Sequence, residues 1–227
     1  MTVLINYKKI LLKKSTSNSL FFVNDKFDIF SIKKHILSSE YSFISDLIKT
    51  KDLKKKIIVF DVNSQKKIIL ISLKNNLKSS GAENLGAKFY DFFKDSKESE
   101  FNLDSNTIPS QLKSLVGYFL HGLRLKSYVF EKYKSKKNKK IISILVTGKN
   151  IPSLNAQLKF RAIEEGTFYA RDLVSEPGNI LHPDEYAKRL NSLKKYGLKI
   201  NVYDEKKLKK LGMNTLLGVG QGSIRGS

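Results

Sequence analysis

The sequence contains no cysteine, which excludes a disulfide framework and any thiolate metal site and fits a reducing compartment. Long apolar runs are also missing. The cleanest, Ile141–Val146, has a serine inside it and falls far short of the roughly 20 residues that span a bilayer. No secretory leader is legible, because Lys8, Lys9, Lys13 and Lys14 break up the apolar residues of the N-terminus. A leader places its charges ahead of an apolar stretch. The expectation is a cytoplasmic protein with no membrane segment. Acids are scarce: 21 against 42 basic residues, a net charge of +21. Arginine is scarcer still, at Arg124, Arg161, Arg171, Arg189 and Arg225 only. Nucleic-acid binders concentrate positive charge on one face and favour arginine for bidentate phosphate contacts. Here lysines occur in nearly every segment, so weak, salt-sensitive polyanion binding is the most that the charge implies.

What is present suits a folded core. A hydrophobic fraction of 41% and an aromatic fraction of 11% are ordinary for a globular chain, and 227 residues leave room for one large domain or two modest ones. The first 150 residues alternate short apolar runs with amphipathic segments, the pattern of strands interleaved with helices. Thr2–Asn6, Leu20–Val23, Lys56–Val62, Lys67–Leu73 and Ile141–Val146 read as strands, the last central in a sheet. Tyr41–Ile48 reads as a helix with Phe43, Ile44, Leu47 and Ile48 on one face, and Gly86–Phe93 as another after a break at Ser79-Ser80-Gly81. Pro109 opens a longer helix in which Leu112, Leu115, Val116, Phe119, Leu120 and Leu123 recur at helical spacing. Lys132–Lys140 reads as a solvated loop.

Beyond it, a helix runs from Asn150–Ser153 to about Val174, with Leu158, Ala162, Gly166, Ala170 and Leu173 along one face, and Ser175–Asn179 stops it. Another helix starts at His182-Pro183 and ends at Gly197; Leu198–Tyr203 reads as a strand. Asp204 caps a lysine-rich helix that Gly212 closes, and Thr215–Val219 reads as a last strand. The residues from 179 onward carry little apolar material for a module of their own.

Chemical motifs fail in turn. Gly218-Val219-Gly220 lacks the third glycine of a dinucleotide loop, since Ser223 stands there, and Gly148-Lys149 lacks the other members of a phosphate loop, with Ser143 and Asn150 in their places. The three histidines, His35, His121 and His182, form no His-Glu-x-x-His frame. His121, on an apolar helix, reads as a core or boundary residue and His182 as a loop residue. No Gly-x-Ser-x-Gly elbow exists. Asp91 and Asp95 lie one helical turn apart, but Lys94 and Lys97 beside them favour a salt-laced surface.

Two segments carry a resemblance. Tyr169-Ala170-Arg171-Asp172-Leu173-Val174-Ser175-Glu176-Pro177-Gly178-Asn179 resembles the end of the inter-domain helix of M17 leucyl aminopeptidases. Leu211-Gly212-Met213-Asn214-Thr215-Leu216-Leu217-Gly218-Val219-Gly220-Gln221-Gly222-Ser223, in the same order and spacing, resembles an early segment of that family's catalytic domain. Ser175 departs from the family's usual asparagine, and serine turns the chain similarly. The resemblance implies a mixed α/β fold: an N-terminal macro-like α/β domain over 1–150, a linking helix over 151–178 and the start of the catalytic α/β domain over 179–227. It implies an aminopeptidase that releases N-terminal residues from peptides, leucine preferred, with two divalent ions (manganese or zinc), a homo-hexamer when full length and no membrane partner. The family's metal-binding lysine, aspartates and glutamate, and its assisting arginine, lie beyond the Gly-Gln-Gly-Ser segment. No catalytic, cofactor-binding or metal residue is therefore carried over, and these 227 residues alone are expected to be inactive. The alternative is a non-catalytic binding or assembly module, the lysine-rich front domain holding a nucleotide or nucleic acid.

Overall fold

The computed structural model describes residues 2–9, 18–137 and 140–222. The chain forms two compact units, residues 1–168 and 169–227. The first is built on one six-stranded sheet of strands β1 (Val3–Lys8), β2 (Asn18–Asn24), β3 (Ile57–Asp61), β4 (Lys67–Leu73), β5 (Glu100–Asp104) and β6 (Ile142–Thr147). Their order is β1-β6-β5-β2-β4-β3; every pairing is parallel except the β3–β4 hairpin. Parallel strands must be covered on both faces, and alternation along each strand supplies both cores. Leu20 and Phe22 with Ile69 and Ile71 enter one apolar cluster, Phe21 and Val23 with Ile68 and Leu70 the other.

Helices α2 (Ser79–Phe93) and α3 (Leu115–Lys126) cover the first face through Phe89, Phe93, Phe119 and Leu123. A 3-10 turn over Phe30–His35 and helix α1 (Ser38–Leu47) cover the second through Ile32 and Ile44. Under α1, the buried Glu40 accepts from the Leu37 amide at 3.0 Å and from Lys66 Nζ at 2.6 Å.

Five of the strands stand where the apolar runs place them, and β6 is interior, between β1 and β5. Strand β5 was not among the expected strands: Glu100, Asn102 and Asp104 interrupt its apolar residues, yet Asn102 and Asp104 are buried. Ser79-Ser80-Gly81 is not a break but the first turn of α2. On α1, Phe43 is solvent-exposed while Ile44 is buried, so the apolar face is narrower than its spacing implies. Leu112, Leu115, Val116, Phe119, Leu120 and Leu123 are all buried, with a short 3-10 turn at Ser110–Leu112 before α3. Lysines 132, 134, 136 and 137 are exposed as a solvated loop requires, whereas Lys140 is half-buried and donates to the Phe93 carbonyl at 2.6 Å. Lys139 lies outside the described residues.

Helix α4 (Leu154–Ser175) begins in the first unit and ends in the second, stopped at Ser175 just ahead of Pro177. The second unit continues with α5 (Pro183–Asn191), a 3-10 turn closed by Gly197 at φ +84°, α6 (Glu205–Lys210) and α7 (Asn214–Gly220). Asp204 caps α6 by accepting from the Lys207 amide at 2.8 Å. Both strands expected here are absent among the described residues: 198–203 is irregular and Thr215–Val219 lies inside α7. A strand needs a neighbour for its N–H and C=O groups. No strand occurs in the described part of this unit, so the backbone pairs locally, as helix.

Candidate functional site

The carboxyl ends of β5 and β6 are laced together by short polar side chains. Asp104 Oδ1 accepts from the Asn106 amide and from Asn106 Nδ2, both at 2.9 Å, and Asn106 Oδ1 accepts from the Lys149 amide at 2.9 Å. Ser105 Oγ accepts from the Asn150 amide at 3.1 Å, and Asn150 Nδ2 donates to the Ser105 carbonyl at 3.1 Å. Gly148 permits this approach: its φ is +106°, and a Cβ there would come 2.5 Å from Asn106 Nδ2. The lacing fixes Lys149 and Asn150 at the start of a wall that runs on to Ser153.

Behind that wall lies a cavity of about 670 Å³. Its inner side is aromatic, with Tyr118 and His121 from α3 facing Phe160 from α4. The Tyr118 and Phe160 rings meet edge to face with centroids 5.1 Å apart, and His121 lies 5.0 Å from Phe160. Phe160 comes this close because Gly117 has no side chain; a Cβ there would stand 2.6 Å from its ring. Lys113, Lys149 and Lys159 line the cavity as well, and Glu83 is the one acid among its lining residues.

Next to the aromatic wall is a buried charge cluster. Glu164, 4% exposed, receives Arg124 Nη1 on Oε2 and the His121 ring nitrogen Nδ1 on Oε1, each at 3.0 Å. It ties α4 to α3. The Tyr7 phenol on β1 is pushed up to about 12, first by burial, then by the charge of Glu164, with Arg124 acting the other way. A folded value above the ordinary 10.0 means that folding favours the neutral phenol. This contribution is complete below pH 10 and is lost as pH rises toward 12. It amounts to no more than roughly 2 kcal/mol once the partly exposed edge of the ring is allowed for. The chain has ten tyrosines and no tryptophan, so tyrosinate absorbance should resolve a late step near pH 12 that Tyr7→Phe removes. A titration of that variant identical to the parent's would overturn the assignment.

His121 is buried, as its helix position implies, but as the partner of an acid 43 residues away. Nothing in the sequence marks Glu164, one of two adjacent glutamates on a polar helix, as the buried one. His182 precedes α5 and pairs with Asp184; His35 pairs with Asp104 at 2.6 Å. Asp91 sits 3.0 Å from Lys94 and 3.1 Å from Lys126, a salt-laced surface, and hydrogen bonding from Lys94 holds its carboxyl below the usual range. In the second unit Arg189 bridges Glu176 at 2.8 Å and Glu185 at 2.9 Å. Among the described residues no group of three or more His, Asp or Glu side chains could hold a metal ion. None of their helices is long and apolar enough to cross a membrane.

A mixed α/β front unit, followed by a long helix and a short run of further helices, defines the class. Residues 168–227 match the model of the cytosol aminopeptidase family, catalytic domain. A probable cytosol aminopeptidase of Sinorhizobium fredii is 41% identical over 115 residues, 47% of this chain and 23% of that protein. One from Phytoplasma mali is 44% identical over 114 residues, with the same coverage of 47% and 23%. A solved tomato leucine aminopeptidase mutant superposes with a TM-score of 0.70 over 92% of this chain and 46% of its own, at 18% identity. The bottromycin maturation enzyme BotP in complex with Mn gives 0.66 over 92% and 43%, at 17% identity. These two structures establish the fold alone. The similarity to cytosol aminopeptidases is thus carried by the family-model match at residues 168–227 and by the 41–44% identity to these curated relatives. The matched segments span about a quarter of the length of the curated relatives.

Proposed function

We propose that this chain supplies the front of a metal-dependent aminopeptidase that releases N-terminal residues from peptides, leucine preferred, in the cytoplasm. The observation that carries the reading is the match of residues 168–227 to the family's catalytic domain. On this reading 1–150 is a macro-like domain, 151–178 a linking helix and 179–227 the opening of the catalytic domain, in a protein that works as a hexamer. The described side chains do not assemble a metal site. On this reading the two ions, manganese or zinc, are held by ligands outside these residues, in the part of the enzyme that follows the Gly220-Gln221-Gly222-Ser223 segment. Paired divalent ions suit the reaction because they lower the pKa of water and polarise a carbonyl.

A chimera tests the reading: residues 1–227 joined to the remainder of the Sinorhizobium fredii relative, assayed with leucine p-nitroanilide and manganese. The chimera should release p-nitroaniline, and the 227-residue chain alone should match buffer. Hydrolysis by the chain alone would overturn the placement of the chemistry. A folded, metal-loaded chimera with no activity would overturn the aminopeptidase reading itself.

A further inference from the structure

We propose that the cavity between α3, α4 and the loop after β6 binds a small aromatic anion, its ring against Tyr118 and Phe160 and its acidic group facing Lys113, Lys149 and Lys159. The inference goes beyond peptide hydrolysis and uses nothing of that chemistry.

Four observations carry it. At about 670 Å³ the cavity is in the range that holds small ligands. Its aromatic wall is built rather than incidental: Gly117 leaves the space that Phe160 occupies, and the His121–Glu164–Arg124 cluster holds α4 in place behind it. Aromatic rings gain most from a partner ring set edge-on or offset, so this wall selects a flat apolar body over an alkyl chain. The charge around it is one-sided. Lys113, Lys149 and Lys159 make no ion pair among the described residues, against the single carboxylate of Glu83. Three unneutralised ammonium groups around one concavity raise the local concentration of anions and favour one that stays. Both helices also begin at the cavity, whose lining includes Ser114, just ahead of α3, and Ser153, just ahead of α4. Their positive ends add to the lysines. The sheet brings all of this to the carboxyl ends of its strands, where open α/β sheets place ligands.

The scattered surface lysines attract any polyanion, so the test must separate this cavity from general charge. The probe is 1-naphthyl phosphate, followed by its fluorescence anisotropy as the full chain is added. The chain has no tryptophan to interfere. Saturable one-to-one binding is expected, with inorganic phosphate and 1-naphthol each at least roughly tenfold weaker, since each keeps only half of the contacts. Lys149→Glu combined with Lys159→Glu should weaken the probe by roughly a hundredfold. Lys54→Glu combined with Lys55→Glu makes the same charge change on a distant exposed loop and should leave it unaltered. All four positions are exposed, so these variants keep the core intact. Four outcomes overturn the proposal: no saturable binding at millimolar probe, phosphate or naphthol binding as tightly as the probe, equal losses from both variant pairs, or no loss from the cavity pair.

Discussion

Glu164→Ala should destabilise the first unit by about 3–5 kcal/mol, lowering its thermal midpoint by on the order of 10 °C for a unit of this size. The carboxylate is 4% exposed and serves two donors, His121 Nδ1 and Arg124 Nη1. Its removal takes a shared acceptor from groups already withdrawn from water, and leaving buried donors without it costs more than the pair contributes net. The change also unties α4 from α3 at the one buried residue of that helix. Glu164→Gln separates charge from shape. It keeps the volume and one acceptor oxygen, so the loss should be roughly half as large. Because the Glu164 charge raises the Tyr7 phenol, the late tyrosinate step near pH 12 should move downward in this variant. Thermal denaturation followed by far-ultraviolet circular dichroism, beside the tyrosinate titration, reads both effects. An unshifted Tyr7 step together with parental stability would show that Glu164 is not the keystone of the cluster.

Gly122→Ala should cost about 3 kcal/mol or more, although alanine is the better helix former by about 1 kcal/mol. A Cβ at Gly122 would stand 2.0 Å from the Glu83 carbonyl oxygen, and one at Gly86 would stand 1.9 Å from that of Phe119. The obstructing atoms are backbone in both cases, so no rotamer change relieves them. The two glycines are reciprocal: each gives its helix access to the other's main chain. Either substitution must push α2 and α3 apart and loosen Phe89, Phe93 and Phe119 from the sheet. Because both act on one helix spacing, the Gly86→Ala, Gly122→Ala double variant should lose clearly less than the sum of the single losses. Denaturant melts of the four proteins measure this. Additive losses, or a neutral Gly122→Ala, would contradict the close crossing.

Apolar runs long enough to state their own period could be read without a structure. β4 is the clear case, since Lys67–Leu73 is nearly continuous in Ile and Leu and takes the interior place such a run implies. α3 with the short turn before it is another, with six apolar positions at helical spacing, all buried. Its turn chemistry was equally legible, in Ser175 ending α4 ahead of Pro177, Asp204 capping α6, and Gly197 and Gly212 at positive φ. The M17-like segments at 169–179 and 211–223 were readable as motifs for the same reason: order and spacing are properties of sequence.

Residue order alone carries the class of fold, the placing of the apolar elements of the first unit and the family likeness of the later residues. Tertiary structure alone decided the rest, wherever a residue's role depends on a partner far along the chain. Asn102 and Asp104 are polar residues that lie in a strand because Thr147, Asn106 and His35 satisfy them there. Thr215–Val219 is apolar enough for a strand yet is helical, because a ladder needs a second strand and a helix needs only itself. Glu164 and Glu165 are adjacent glutamates, one buried against His121 and Arg124 and the other paired with Arg161 in solvent. Local pattern records the period of a segment, whereas burial of a charge is set by which distant donors the fold brings within about 3 Å.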